Sequence, residues 1–412
     1  VSVIIGTGEM FSIDPSVFFT HLSKGARVMR WFGSALVVGL LSFATDTLAE
    51  NAPKAFDVYV GTYTGRGSEG IYHFLLDMEK GTLSPVGVTK GIVNPSFLAL
   101  HPSGKFLYAV SEVETMNGKK SGGLSAFAIE GKDRTLELLN QEATGGGVPC
   151  HVSVDHTGKM AMIANYGGGS VGAFPLAADG KLKPLSSFIQ HEGKGPNPAR
   201  QEGPHAHSIF PDPTNKYAMA ADLGLDKVFV YKIDTATGKL TPNDPPSASV
   251  PAGGGPRHFA FHPNGKFAYT NNELSSAVTA FTYADTEGIL TPIQTITTLP
   301  DGYDGKDNTT AEVQVHPSGK FLYVSNRGHD SIAGYSIDQK TGKLTSIGQT
   351  KTGGKVPRNF GIDPTGTYLL AANQDSNDIF VFKIDPKTGA LTSAGSKVSV
   401  NMPVCVKFLA RD

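Results

Sequence analysis

The side chains best suited to chemistry occupy equivalent places in a repeated pattern. His151, His207, Arg257, His258, Glu312, Arg358 and Asn359 each stand one or two residues after a proline or small residue that opens a short apolar strand. The segments are VPCHVSV, PHAHSIF, GPRHFAF, TAEVQV and VPRNFGI. Beyond these two places the strands turn apolar, with Val152, Ile209, Phe259, Val313 and Phe360 next in line. A carboxylate or an imidazole can take or return a proton. A guanidinium fork can hold an oxyanion, a carboxylate or a phosphate. The long Gly/Pro-rich stretch from His191 to Phe210, HEGKGPNPARQEGPHAHSIF, adds Arg200 and His205 to the same set. Charged groups at buried strand starts are costly unless paired, so the set is either a site or a structural ion-pair network tying strands together.

Other chemistries find little support. His205 and His207 form an H-A-H pair that a strand would place on one face, yet no third ligand follows at a metal-binding spacing. No metal and no cofactor is expected. Gly145-Gly146-Gly147 and Gly253-Gly254-Gly255 lie between strands with no helix to follow, so they are not phosphate-binding loops. No G-x-S-x-G elbow stands in a suitable context for a serine nucleophile. Asn165, Asn272, Asn326 and Asn373 recur at strand ends, where a turn-holding role is expected. With 36 Lys+Arg against 37 Asp+Glu and no basic stripe, nucleic acid is not an expected partner.

The elements that must position these residues repeat. HPSGKFLYAVSE (His101 to Glu112) returns as DHTGKMAMIANY, DPTNKYAMAADL, HPNGKFAYTNNE, HPSGKFLYVSNR and DPTGTYLLAANQ, at intervals of about 47 to 57 residues. Each reads as a tight turn feeding a buried strand, the glycine supplying the positive φ of the turn. A third strand follows each copy, as in GGLSAFAI and DKVFVYKI, then an Asp/Gly-rich turn and a fourth strand. Four strands per unit at this period predict an all-β, seven-bladed β-propeller. DVYVGTYT (Asp57 to Thr64) lacks a first strand, and MPVCVKF (Met402 to Phe408) lacks a second, so the two are expected to share one blade and close the ring. In such a ring every first strand lines the central channel, which would gather the polar set at one mouth. Composition agrees: glycine (49) and proline (26) make about 18% of the 412 residues, and charged residues only 18%, as many short strands and tight turns require.

The first fifty residues have a different logic. Met29-Arg30, an apolar run from Trp31 to Ala44 and Thr47-Leu48-Ala49 describe a secretory signal peptide cleaved after Ala49. The run is too short to span a membrane. Residues 1–28 read as upstream sequence translated from a start assigned too early, and residues 50–412 as a single propeller domain, periplasmic or secreted, without membrane insertion after cleavage. Cys150 and Cys405, on inner strands of blades that are not neighbours, are expected to stay unbridged.

YVGTYT, the HPSGKFLYVSN phrases, NPxRQxxPHAHS (Asn197 to Ser208) and GPRH (Gly255 to His258) resemble the lactonase family of seven-bladed propellers. That family includes propeller-type 6-phosphogluconolactonases and carboxymuconate-lactonizing enzymes. The resemblance runs from about Asp57 to Phe408. It implies hydrolysis of a small sugar-acid lactone at one channel mouth, without a cofactor; a monomer is the expected state. By motif it carries roles to His151, Arg200, His205, His207, Arg257 and Glu312. Glu312 or His151 would activate water, Arg257 and Arg358 would hold the oxyanion or a substrate anion, and His207 would return a proton. Arg200, His205, His258, Arg358 and Asn359 would bind substrate. The competing expectation is a non-enzymatic propeller that binds a protein or glycan on its channel face.

Overall fold

The computed structural model describes residues 53–411 apart from Asn117. The proposed signal peptide and the residues before it lie outside the described residues. Seven four-stranded antiparallel sheets follow one another along the chain, giving the seven-bladed propeller. The inner strands are Pro403–Arg411 in blade 1, then Leu98–Leu100, Pro149–Val154, Ala206–Pro211, Pro256–Phe261, Thr309–Val315 and Pro357–Ile362 in blades 2 to 7. The second strands are Ala55–Thr62, Phe106–Ser111, Met160–Asn165, Tyr217–Asp222, Phe267–Asn272, Phe321–Arg327 and Tyr368–Asn373. Nearly every residue of these second strands is buried, because both faces pack against neighbouring blades.

Blade 1 is built from both ends of the described chain. Pro403–Arg411 pairs antiparallel with Ala55–Thr62, from Ala55 opposite Arg411 to Thr62 opposite Pro403. The seam holds a buried carboxylate, Asp57, which accepts from Arg411 at 2.6 and 3.0 Å, pairs with His73 at 2.7 Å and lies 3.2 Å from Arg134 of blade 2. Burial alone would raise the Asp57 pKa, but the bonds from His73 and Arg411 outweigh it and hold it below the usual value. The charge is thus compensated where the ring is fastened.

The repeated phrases also explain how blades hold one another. In HPSGK-type turns the histidine bonds the turn glycine carbonyl of the next blade: His101 to Gly158 at 2.9 Å, His262 to Gly319 and His316 to Gly366 at 2.8 Å. Tyrosines inside the second strands do the same one strand further out, Tyr108 donating to Gly180 O, Tyr269 to Gly342 O and Tyr323 to Gly389 O. The recurring asparagines hold the turn into the third strand, Asn165 donating to Ser170, Asn272 to Thr279 and Asn373 to Asp378. Both cysteines are free and buried.

Candidate active site

Every inner strand from blade 3 to blade 7 opens with a register shift against its second strand: between Pro149 and His151, Ala206 and Ser208, Pro256 and Phe259, Thr310 and Val313, Pro357 and Asn359. Blade 1 has the same shift opposite Gly61 and Thr62. A bulge places one extra residue in the strand and re-aims its side chain. The residues at these bulges include Cys150, His207, Arg257 and Arg358. Strict alternation therefore fails at the strand entrance, and the polar set separates into two tiers.

The upper tier surrounds a cavity of about 350 Å3 at one channel mouth. His207 and Arg358 line it from the bulges, and Arg200 from the long loop. The other polar walls come from residues at or just past the ends of second strands: Glu112, Tyr166, Glu273 and Arg327. A narrow inward extension adds Tyr63, Arg257 and His258. Glu112, Glu273, Arg327, Tyr63 and Tyr166 are functional candidates that the reading of inner strands alone did not reach. Their signal was present, because they hold one position of the repeat: the residue closing HPSGKFLYAVSE, HPNGKFAYTNNE, HPSGKFLYVSNR, DHTGKMAMIANY and the YVGTY phrase.

Two carboxylates face this mouth, with opposite surroundings. Glu273 is enclosed by three arginines: Arg200 at 2.7 Å, Arg257 at 2.8 Å and Arg327 at 3.1 Å. Burial acts to raise its pKa, but Arg327, Arg257 and Arg200 overcome that and bring it to about 2. The Arg257 contact is a charge contact only, since its Nε–H does not point at the carboxylate. Glu112 instead has neutral partners, accepting from Tyr63 Oη at 2.9 and 3.0 Å and from Ser96 Oγ. Arg358 lies with its guanidinium 5.4 Å from the centre of the Tyr63 ring and, among the described residues, forms no ion pair. Burial works against its charge, yet Tyr63, Glu112 and Glu273 keep its pKa above the ordinary arginine value.

Three buried histidines, His207, His151 and His258, are held toward the neutral form. Burial, then Arg257, His258 and Arg358, hold His207 well below the usual histidine value. Burial and neighbouring positive groups do the same to His151 and His258. His205 stacks on Tyr166, ring centres 4.6 Å apart, and its Nδ1 is 3.1 Å from Tyr166 O. His207 Nδ1 lies 3.6 Å from Cys150 Sγ. The two rings of the H-A-H pair are thus engaged with different neighbours, and among the described residues no group of three or more His, Cys, Asp or Glu is arranged to hold a metal.

His151, Glu312 and Asn359 form the lower tier and do not line the mouth cavity. His151 packs among Phe97, Phe210 and His258, with ring centres 4.3, 4.4 and 5.5 Å away. Glu312 accepts from the Asn359 amide and from Val313 N, and lies 3.1 Å from His258 Nδ1. Burial raises its pKa to about 7 despite Lys407 and Arg257. The expectation that all seven residues ring one mouth therefore holds for His207, Arg257 and Arg358. His151, Glu312 and Asn359 sit beneath and His258 reaches only the inward extension, because the second position follows the bulge and faces down the channel.

The loop from His191 to Phe210 is held rigidly. Asp222 pairs with His191 Nδ1 at 2.6 Å and accepts from His205 N, while Gln201 donates to Leu223 O and Asp226. These bonds fix Arg200 across the mouth onto Glu273.

The seven-bladed ring carries a polar, arginine-rich cavity at one mouth, which places the protein among propellers with a small-molecule pocket, and comparison with known proteins gives the family. The chain matches the family model described as Lactonase, 7-bladed beta-propeller, over residues 57–408, and belongs to that family. It is 41% identical over 351 residues to a 6-phosphogluconolactonase of Bacillus subtilis, covering 85% of this chain and 97% of that one. A 6-phosphogluconolactonase of Formosa agariphila is 35% identical over 312 residues, covering 74% and 86%. Among solved structures, the periplasmic gluconolactonase of Pseudomonas aeruginosa superposes with a TM-score of 0.81, at 33% identity, covering 86% of this chain and 99% of that one. The protein is a lactone hydrolase.

Proposed function

We propose that the protein opens a sugar-acid lactone, of the 6-phosphogluconolactone or gluconolactone kind, with water at the mouth lined by Glu112 and Arg358. The observation that carries this reading is their pairing: a carboxylate with neutral partners and a half-buried guanidinium that forms no ion pair among the described residues share one cavity. Glu112 takes a proton from water as the oxygen attacks the lactone carbonyl. Arg358, backed by Arg257, stabilises the oxyanion that develops. When the ring C–O bond breaks, the protonated Glu112 returns that proton to the departing alkoxide. His207, neutral here, serves as a hydrogen-bonding partner for substrate rather than as an imidazolium acid. Arg200, Arg327 and His205 bind substrate hydroxyls or an anionic substituent. Glu312, His151, His258 and Asn359 support the mouth from below. The relatives' names favour this substrate class.

Export, with cleavage after Ala49 and action as a periplasmic or secreted monomer, belongs to the same reading and is supported by the leader-like pattern of residues 29–49. The alternative, a propeller binding a protein or glycan on its channel face, requires the mouth charges to be consumed by one another. Arg358, free of ion pairs among the described residues, weighs against it. The test is hydrolysis by the chain beginning at Glu50, followed in a pH-stat with glucono-1,5-lactone and its 6-phosphate and corrected for spontaneous opening. A saturable rate on either supports the reading. No rate above the spontaneous one on both overturns it.

A further inference from the structure

Beneath the lower tier the channel widens into a second chamber of about 280 Å3 that the reaction at the mouth does not use. Four phenylalanines wall it, Phe97, Phe210, Phe259 and Phe261, and its polar groups include Lys407 and Glu312. Phe210, Phe261 and Lys407 are only half-buried, so the chamber communicates with solvent. Phe97 also borders the inward end of the mouth cavity and, with His258 and His151 against it, separates the two spaces.

The charges here are unequal. Both Glu312 oxygens are engaged, by the Asn359 amide and by Val313 N. Burial brings its pKa to about 7, so at neutral pH it carries only part of a charge. The Lys407 ammonium lies 4.7 Å from the centre of the Phe97 ring and, among the described residues, makes no hydrogen bond or ion pair. A pocket with mostly apolar walls and one or two convergent polar groups is the usual form of a small-molecule site. A lone cation at the edge of an aromatic cage selects an anion attached to an apolar body, because the electron-rich ring faces offer nothing to a small hydrated anion.

We propose that this chamber is a second binding site, taking a small aromatic monocarboxylate with its ring among Phe97, Phe210 and Phe261 and its carboxylate on Lys407. The proposal does not depend on the reaction assigned to the mouth. Arginines at the mouth also attract carboxylates, so the experiment must separate the two ends.

The probe is 3-phenylpropanoate, titrated calorimetrically into the chain beginning at Glu50, beside its neutral amide and beside acetate. Saturable binding of the acid with a Kd at or below about 1 mM is expected. The amide and acetate should each bind at least about tenfold more weakly, one lacking the charge and the other the ring. Lys407→Met keeps the aliphatic stem and should weaken the acid about tenfold without changing the amide. Arg358→Gln, at the mouth, should leave binding of the acid unchanged. Equal binding of acid and amide overturns the proposal, and so does loss of binding in Arg358→Gln with retention in Lys407→Met. Because the comparison of the three probes uses the unaltered protein, a variant that misfolds does not remove the test.

Discussion

Glu273→Gln should expose how the mouth is held together. The wild-type carboxylate carries its charge against burial because Arg200, Arg257 and Arg327 surround it. Its pKa falls from 4.5 to about 2 on folding. A folded value below the unfolded one means stability that is fully present above pH 4.5 and is lost as pH falls through about 2. At roughly 1.36 kcal/mol per pH unit, that displacement contributes about 3 kcal/mol at pH 7. At pH 3 the same linkage leaves about half of that or less, because the unfolded state, with its higher pKa, already binds the proton there. Glutamine keeps the size and hydrogen-bonding capacity of the protonated acid, so the variant should follow the protonated curve throughout. Urea unfolding followed by circular dichroism, on wild type and variant at both pH values, gives the two differences directly. The expected result is a penalty of about 3 kcal/mol at pH 7 that shrinks to about half or less at pH 3. A penalty independent of pH would refute the electrostatic account, and no penalty at pH 7 would show that the three arginines do not need this carboxylate.

Glu112→Gln should stay folded and lose about 10²- to 10⁴-fold in kcat, the scale of a missing general base. A lactonase progress curve beside a melting curve tests this, and a normal rate would move the base elsewhere. Arg358→Ala should cost about 10²- to 10³-fold in kcat, and Arg358→Lys should recover only part, since a point charge does not reproduce the fork. Full recovery by lysine would reduce the role to bulk charge. Asp57→Asn should destabilise the ring closure by about 3–5 kcal/mol, leaving Arg411, Arg134 and His73 without their buried partner. Unchanged urea stability would deny the seam that role. Titration of denatured, unreduced protein should find two free thiols.

Most of the architecture was legible because it is written several times over. A tight turn, a buried strand and a third strand recurring at a regular interval admit few folds, and the missing strands at the two ends predicted the shared blade. The repeat also explains its own conserved-looking letters: the histidines of HPSGK and the tyrosines two residues past its lysine-phenylalanine pair are blade-to-blade tethers, not chemistry. A histidine is therefore no sign of a site in this chain unless it breaks the repeat.

The site was harder to read for a geometric reason. Alternation says that neighbouring residues on a strand face opposite ways, but it cannot say where a bulge resets the count. Between Pro256 and Phe259 the register shifts by one residue, so Arg257 turns to the mouth while His258 reaches down toward Glu312. From the letters alone Glu312 and Arg257 look like equal members of one ring. In space Arg257 contacts Glu273, whereas Glu312 opens onto the far chamber with Lys407. The carboxylates that do face the mouth, Glu112 and Glu273, close second strands whose other residues are almost all buried packing groups. At those positions the repeat keeps its place but changes its chemistry: tyrosine at 63 and 166, glutamate at 112 and 273, arginine at 327. Of the seven residues at this position these five line the mouth cavity or its inward extension, while the other two are Gln374 and a buried Leu223. Because a closed ring carries the ends of all its second strands to the same face, variation in type at a place the repeat holds fixed marks the site more reliably than the presence of any one reactive residue.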